Sequence, residues 1–255
     1  MRASLDAPDH SALSRRGQLL DVALHDIPTT GPLYLIVDST GHSVVGEGEW
    51  AAATNGGRGT RGWKKLHLGV DRFGAIVGHA LTDATVDDAT VGIGLIVAAS
   101  GHVVSVTADS AYDTVAFYEA VECATRAVPP TRTAKVSRRG PRSNARDRVI
   151  TDVERLGRRE WKKASGYDRQ ARVENAFFRY MSVISDGVRA RSVRGREVEA
   201  RLACRVLNRM TALGRPGSRL RAVGDEPARW ENCESGVEPC TNAEHRGDRL
   251  GTQRG

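Results

Sequence analysis

Apolar positions in the first half of the chain follow two different periods. Leu33-Tyr-Leu-Ile-Val37 is an unbroken β-forming run that ends at Asp38, and Leu66, Leu68 and Val70 alternate within Trp63–Asp71. The Asp71-Arg-Phe-Gly74 turn then leads into Ala75-Ile-Val-Gly-His-Ala-Leu81, so an antiparallel hairpin is predicted. Gly41, Gly46 and Gly48 predict turns between short hairpin strands after Asp38. The period changes after Asp87-Asp88, where Val91, Leu95, Ile96 and Ala99 recur at helical spacing. Asp88 is the expected N-cap of that helix and Gly101 its close. Asp83, Asp87 and Asp88 are accordingly read as capping or surface acids. A strand over Val103–Asp109 follows, then a helix carrying Val115, Phe117, Tyr118 and Val121, then a short strand at Arg126–Pro130 ended by two prolines.

Farther on, Val173, Phe177, Tyr180 and Ile184 step by four, three and four, which places them on one helical face. Glu174 lies about 100° round from Val173 and borders that face. Arg196–Leu213 predicts another helix, with Val198, Leu202, Val206, Leu207 and Met210 buried. Residues 1–30 are polar, broken by Pro8 and Pro28, with one short helix expected around Ser11–Ala23. Residues 215–255 are poor in aliphatic side chains and are expected to be disordered. Three antiparallel strands, helix, strand, helix, strand, a basic insertion at about 126–165 and a late helix make an α/β order. An RNase H-like mixed five-stranded sheet flanked by helices, over residues 31–214, satisfies it.

At 255 residues the chain can bury one substantial core. It has no apolar run near the roughly 20 residues of a membrane span and no apolar leader, so a cytoplasmic protein without a membrane partner is expected. A net charge of +7 and a pI near 9.6 favour an anionic partner. The excess is concentrated: Arg126, Arg132, Lys135, Arg138, Arg139, Arg142, Arg146 and Arg148 stand against Asp147 alone. A solvated loop is the commoner meaning of such a run, and phosphate contact is the better reading beside a group of acids. Arg58 and Arg61 lie in a glycine-rich stretch where either explanation serves. Cys123, Cys204, Cys233 and Cys240 form no Cys-x-x-Cys pair, which argues against structural zinc and a disulfide scaffold.

Asp38, Asp109 and Glu174 are the acids that carry chemistry in this reading. Two carboxylates about 4 Å apart oppose each other by roughly 4 kcal/mol at an effective dielectric near 20, so something positive must lie between them. Hard divalent cations with oxygen ligands meet that need. Two such ions, magnesium or manganese, can activate a water or a 3'-hydroxyl and stabilise the departing oxygen of a phosphodiester. No other cofactor is expected.

With these residues placed, the chain resembles the DDE transposases of bacterial insertion sequences, of the IS-four and IS-five type. The blocks that carry the resemblance are Val37-Asp-Ser-Thr-Gly41 with Gly46-Glu-Gly-Glu-Trp50, Trp63-Lys-Lys-Leu-His-Leu68, Ala108-Asp-Ser-Ala-Tyr-Asp113, Leu156-Gly-Arg-Arg-Glu-Trp-Lys162 and Arg189-Ala-Arg-Ser192. The resemblance implies metal-dependent DNA cleavage and strand transfer, with Asp38, Asp109 and Glu174 as catalytic and metal-holding residues. It implies double-stranded DNA as partner, both terminal inverted repeats and target, a homodimer on DNA, and nucleoid association. Tyr167 falls at the tyrosine of the family signature, seven residues before Glu174. The arginine place is Gln170 and the lysine place is Met181. Arg169 and Arg172 flank the former, and Tyr167, Arg169, Arg172, Arg189, Arg191, Arg138, Arg139 and Arg142 are the expected DNA-binding residues. Residues 1–30 would be the end of a helical DNA-recognition region, as in an N-terminally truncated copy. Two alternatives stand beside the enzyme: an impaired remnant that only binds DNA, and an RNase H-like nuclease or resolvase.

Overall fold

The run that opens the first strand lacks polar alternation because both of its faces are covered. Leu33, Leu35 and Val37 pack into one core and Ile36 into another on the opposite side of the sheet. The computed structural model describes residues 8–24, 31–44, 63–99, 102–137 and 144–214. The strands are β1 (Leu33–Val44), β2 (Trp63–Val70), β3 (Ile76–Asp83), β4 (Val103–Ala108), β5 (Thr125–Ala127) and β6 (Gly187–Val188). The helices are α1 (His10–Gly17), α2 (Asp88–Ala98), α3 (Val115–Ala120), α4 (Asn144–Leu156), α5 (Arg158–Ala164), α6 (Ala171–Arg179) and α7 (Val193–Gly214). Short 3-10 turns cover Ser110–Tyr112 and Tyr167–Gln170.

The sheet runs β3-β2-β1-β4-β5, with β6 also paired to β1. The hairpin strands are antiparallel, whereas β4, β5 and β6 join in parallel. This is a mixed α/β sheet flanked by helices, of the RNase H-like kind. On one face Leu35, Val37, Val106 and Ala108 meet Leu95 of α2, Tyr112, and Phe117 and Tyr118 of α3. Gly92 lets α2 come close, since a Cβ there would stand 2.6 Å from the Tyr112 ring. On the other face Ile36, Leu66, Leu68 and Val70 meet Val173, Phe177 and Tyr180, with Ala200, Ala203, Cys204 and Leu207 of α7. Asn208 ties α7 to β3 by bonding both the N–H and the carbonyl of Ile76, at 2.8 and 2.7 Å.

Several elements differ from expectation. β1 runs on to Val44, so Asp38 is a mid-strand residue and Gly41 pairs with Lys65 instead of turning. α1 stops at Gly17 rather than reaching Ala23. The N-cap of α2 is Asp87, whose carboxylate accepts from the Thr90 N–H, and Asp88 is the first helical residue. In α3, Phe117 and Tyr118 are buried while Val115 is exposed. After α6 the chain passes into a π-turn over Tyr180–Ile184, whose extra residue per turn rotates Ile184 out of the buried face. In α7 the buried stripe is Arg196, Ala200, Ala203, Cys204 and Leu207, whereas Leu202, Val206 and Met210 are exposed. The expectations for Gly46, Gly48, Arg58, Arg61, Gly101, Arg138, Arg139, Arg142, Cys233 and Cys240, and for residues 215–255, lie outside the described residues. Among the described residues no helix is long and apolar enough to cross a membrane.

Candidate active site

Among the described residues, the hydrogen-bond ladder on one side of β1 has an opening. Parallel pairing with β4 ends at Val37–Ala108, and pairing with β6 begins only at Ser43–Gly187. Asp38 is the first β1 residue in that interval and Asp109 the first residue beyond β4, so the two acids leave adjacent strands at the same level. The sequence dictates this arrangement locally. Asp109 ends β4 by capping the Ser110–Tyr112 turn, its Oδ1 accepting from the Ala111 N–H at 2.8 Å. Asp38 Oδ1 accepts from the Ser39 N–H at 2.8 Å. The Tyr167–Gln170 turn packs on β1 and β4 beside the opening, and α6 packs on β1 and β2. Glu174 lies in the first turn of α6 on its exposed side, next to fully buried Val173.

Burial raises the Asp38 pKa to about 6, and the neighbouring charges of Asp109 and Glu174 push in the same direction. Asp109 is raised as well, by burial first and then by the charge of Asp88. Asp109 and Glu174 are therefore both within electrostatic reach of Asp38. The three acids do not close on a point: among the described residues no three acid, histidine or cysteine side chains stand near enough to hold one ion. The donors are carboxylate oxygens, and their mutual opposition is of the kind a hard divalent cation relieves.

Two buried polar groups and one half-buried one stand near these acids. Gln170 is 3 % exposed, and its amide favours the ionised form of Asp38, yet neither Nε2 nor Oε1 makes a hydrogen bond. Tyr112 is fully buried with its hydroxyl unpaired, and burial together with the charge of Asp38 raises its pKa. Tyr167 is half-buried. Its pKa is pushed up to about 12 by burial and by Asp109, Asp38 and Glu174, so it remains a neutral phenol near them.

The cations near the site and in the basic insertion divide into two groups. Lys162 lies 4.3 Å from the Tyr167 ring centroid, and Arg169 and Arg72 both stack on Tyr34, at 5.6 and 5.0 Å. Arg172, Arg189 and Arg191 are exposed. Others serve the fold: Arg146 grips Asp113 through two bonds of 2.7 and 2.9 Å, Arg126 donates to the carbonyls of Tyr118 and Glu122, and Arg158 donates to that of Pro130. Met181 is partly exposed in the π-turn. Sequence reasoning treated Gln170 only as a lost charge and missed that it is buried against Asp38. Its place between Tyr167 and the buried Val173, one helical turn from the latter, was the available signal.

No solved structure matches the chain. A family model described as transposase DDE domain matches residues 29–209, and a second model of the same description matches residues 1–47. The first match spans well over half of the 255 residues and contains Asp38, Asp109 and Glu174, and by it the chain belongs to the transposase DDE domain family.

Proposed function

We propose that this chain is the DNA-cleaving and strand-transferring enzyme of an insertion sequence, with residues 31–214 as its catalytic domain and Asp38, Asp109 and Glu174 as its metal-holding acids. The observation that carries the reading is one of register: Asp38 and Asp109 emerge side by side where the ladder between β4 and β6 is open. Their oxygen-only chemistry suits magnesium or manganese. One or two such ions, when bound, supply Lewis acidity at the phosphodiester and lower the pKa of the attacking hydroxyl.

The chain's own side chains have distinct tasks in this reading. Asp38 and Asp109 present carboxylates from a rigid sheet, and Glu174 adds one from the solvent side. Gln170 offers a neutral amide donor beside Asp38. Tyr167, with Lys162 over its ring, forms a wall that can meet a sugar or base without adding negative charge. Arg169, Arg172, Arg189 and Arg191 contact backbone phosphates, joined by Arg138, Arg139 and Arg142 of the basic run, and two copies act together on the paired ends.

Cleavage of oligonucleotides bearing the element's terminal inverted repeats tests the reading. Nicks are expected with magnesium or manganese and none in chelator, and Asp109→Asn should abolish nicking while leaving DNA retention in a gel intact. Nicking by Asp109→Asn at the unmodified rate sinks the assignment. Gln170 and Met181 at the places of two cations favour a second reading, a DNA-binding remnant. Retention of the inverted repeats without nicking by the unmodified protein is the result that selects it.

A further inference from the structure

We propose that Ser39 and Asp88 are positioning residues for Asp38, acting through the sheet from the face opposite Glu174, with Lys65 as the cation that fixes Asp88. The inference rests on the assignment of Asp38 as a metal-holding acid and adds the parts that hold it still.

Alternation places Asp38 on the face of Ile36 and Ser39 on the opposite face. There Ser39 pairs across the ladder with His67, and Lys65 lies two residues along the same strand, so all three side chains project toward the start of α2. The Ser39 hydroxyl donates to Asp88 Oδ1 at 2.9 Å while the Ser39 N–H donates to Asp38 Oδ1 at 2.8 Å. One residue therefore connects the two carboxylates. Lys65 Nζ donates to the same Asp88 oxygen at 3.1 Å and to the Val86 carbonyl at 3.0 Å.

Helix capping does not explain Asp88, because Asp87 performs that task, accepting from both the N–H and the hydroxyl of Thr90 at 2.9 Å. The polar layer around Asp88 is built rather than incidental. His67 is fully buried, its Nε2 lies 2.8 Å from Thr82 Oγ1, and its Nδ1, without a hydrogen bond, stands 3.8 Å from Asp88 Oδ1. β1 needs such support at this point. Between Asp38 and His42 it has, among the described residues, a ladder partner on the β2 side alone, so the Ser39–Asp88 bond supplies a hold on the backbone that β4 no longer gives.

Binding of Mn2+ alone to the metal-free full chain, followed by calorimetry or electron paramagnetic resonance, tests this without requiring turnover. Outer partners of metal-holding groups commonly contribute 10- to 100-fold in affinity, so Ser39→Ala and Asp88→Ala should each weaken Mn2+ by about tenfold. Ser39→Thr keeps the hydroxyl and should bind as the unmodified protein does. The double variant should fall no further than Asp88→Ala alone, because that change already removes the acceptor of the Ser39 hydroxyl. Unchanged Mn2+ affinity in Ser39→Ala and Asp88→Ala, alongside loss of binding in Asp38→Asn, overturns the inference and leaves the acid site standing. Unchanged binding in Asp38→Asn overturns both. Should Asp88→Ala fail to fold by circular dichroism, the Ser39→Ala and Ser39→Thr pair decides alone.

Discussion

Asp38 is held in the free protein at a cost in stability. Its folded pKa of about 6 lies above the ordinary 3.8, so the folded state binds the proton more tightly than the unfolded chain. Above pH 6 the folded state carries the full penalty of an ionised, crowded carboxylate. As the pH falls through 6 toward 3.8, protonation relieves it. Each pKa unit corresponds to about 1.4 kcal/mol, so the penalty near pH 8 is on the order of 2 to 3 kcal/mol. Asp38→Asn should therefore raise the melting temperature in chelator at pH 8, and the gain should fade toward pH 5. The histidines move the other way: His42, His67 and His79 all have pKa values lowered by burial, His79 to about 4. Their stability is full above 6.5 and is lost as the pH falls toward the folded values. The difference between Asp38→Asn and the unmodified protein cancels that common loss. A variant less stable than the unmodified protein at pH 8 in chelator contradicts this account of Asp38. With magnesium present the order should reverse, since only the carboxylate gains a cation.

The junction between the basic insertion and the sheet is settled by one ion pair. Asp113, at the end of the turn after Asp109, has no exposed side-chain surface and accepts from the Thr131 N–H as well as from Arg146 of α4. Removing one member of a buried pair strands the other charge and commonly costs about 3 to 5 kcal/mol. Arg146→Ala should lower stability by about 3 kcal/mol in urea titrations, and a loss under about 1 kcal/mol would mean that Asp113 finds another partner. The same pair shows what periodicity can and cannot read. Strands came through well: Leu66, Leu68 and Val70 alternate, and the unbroken run into Asp38 is the doubly covered centre of the sheet. Helix phase was less legible. In α7 the larger side chains Leu202, Val206 and Met210 suggest the core, but Ala200, Ala203 and Cys204 form the face that can lie close on β3. Ile184 was lost to a π-turn that no spacing announces. Among the candidate acids, Asp38 and Asp109 stand out in the sequence because each follows a β-forming run. The Ser39–Asp88 connection was not, because it depends on which residue of Asp87-Asp88 caps α2, a choice made by backbone geometry.

Across the whole molecule a charge of +7 says that an anion is welcome and does not say where. The fold narrows the choice by consuming part of the basic insertion: Arg146, Arg126 and Arg158 direct their guanidinium groups to Asp113 and to backbone carbonyls. Arg189, Arg191 and Arg194 are different, since all three are exposed around the start of α7, and Glu199 is occupied with the backbone N–H groups of Arg189 and Ala190. Each phosphate neutralised by a protein cation steepens the salt dependence of DNA affinity by about 0.9 log unit per log unit of salt. Replacing Arg189, Arg191 and Arg194 together by alanine should therefore flatten the slope by about 2 to 3, measured by fluorescence anisotropy on one duplex between 50 and 300 mM salt. Arg146→Ala, assayed where it remains folded, should leave the slope unchanged although it too removes a positive charge. Flattening by Arg146→Ala of about one third of the triple variant's would mean that net charge governs attraction; flattening confined to the triple variant locates the DNA backbone along the start of α7.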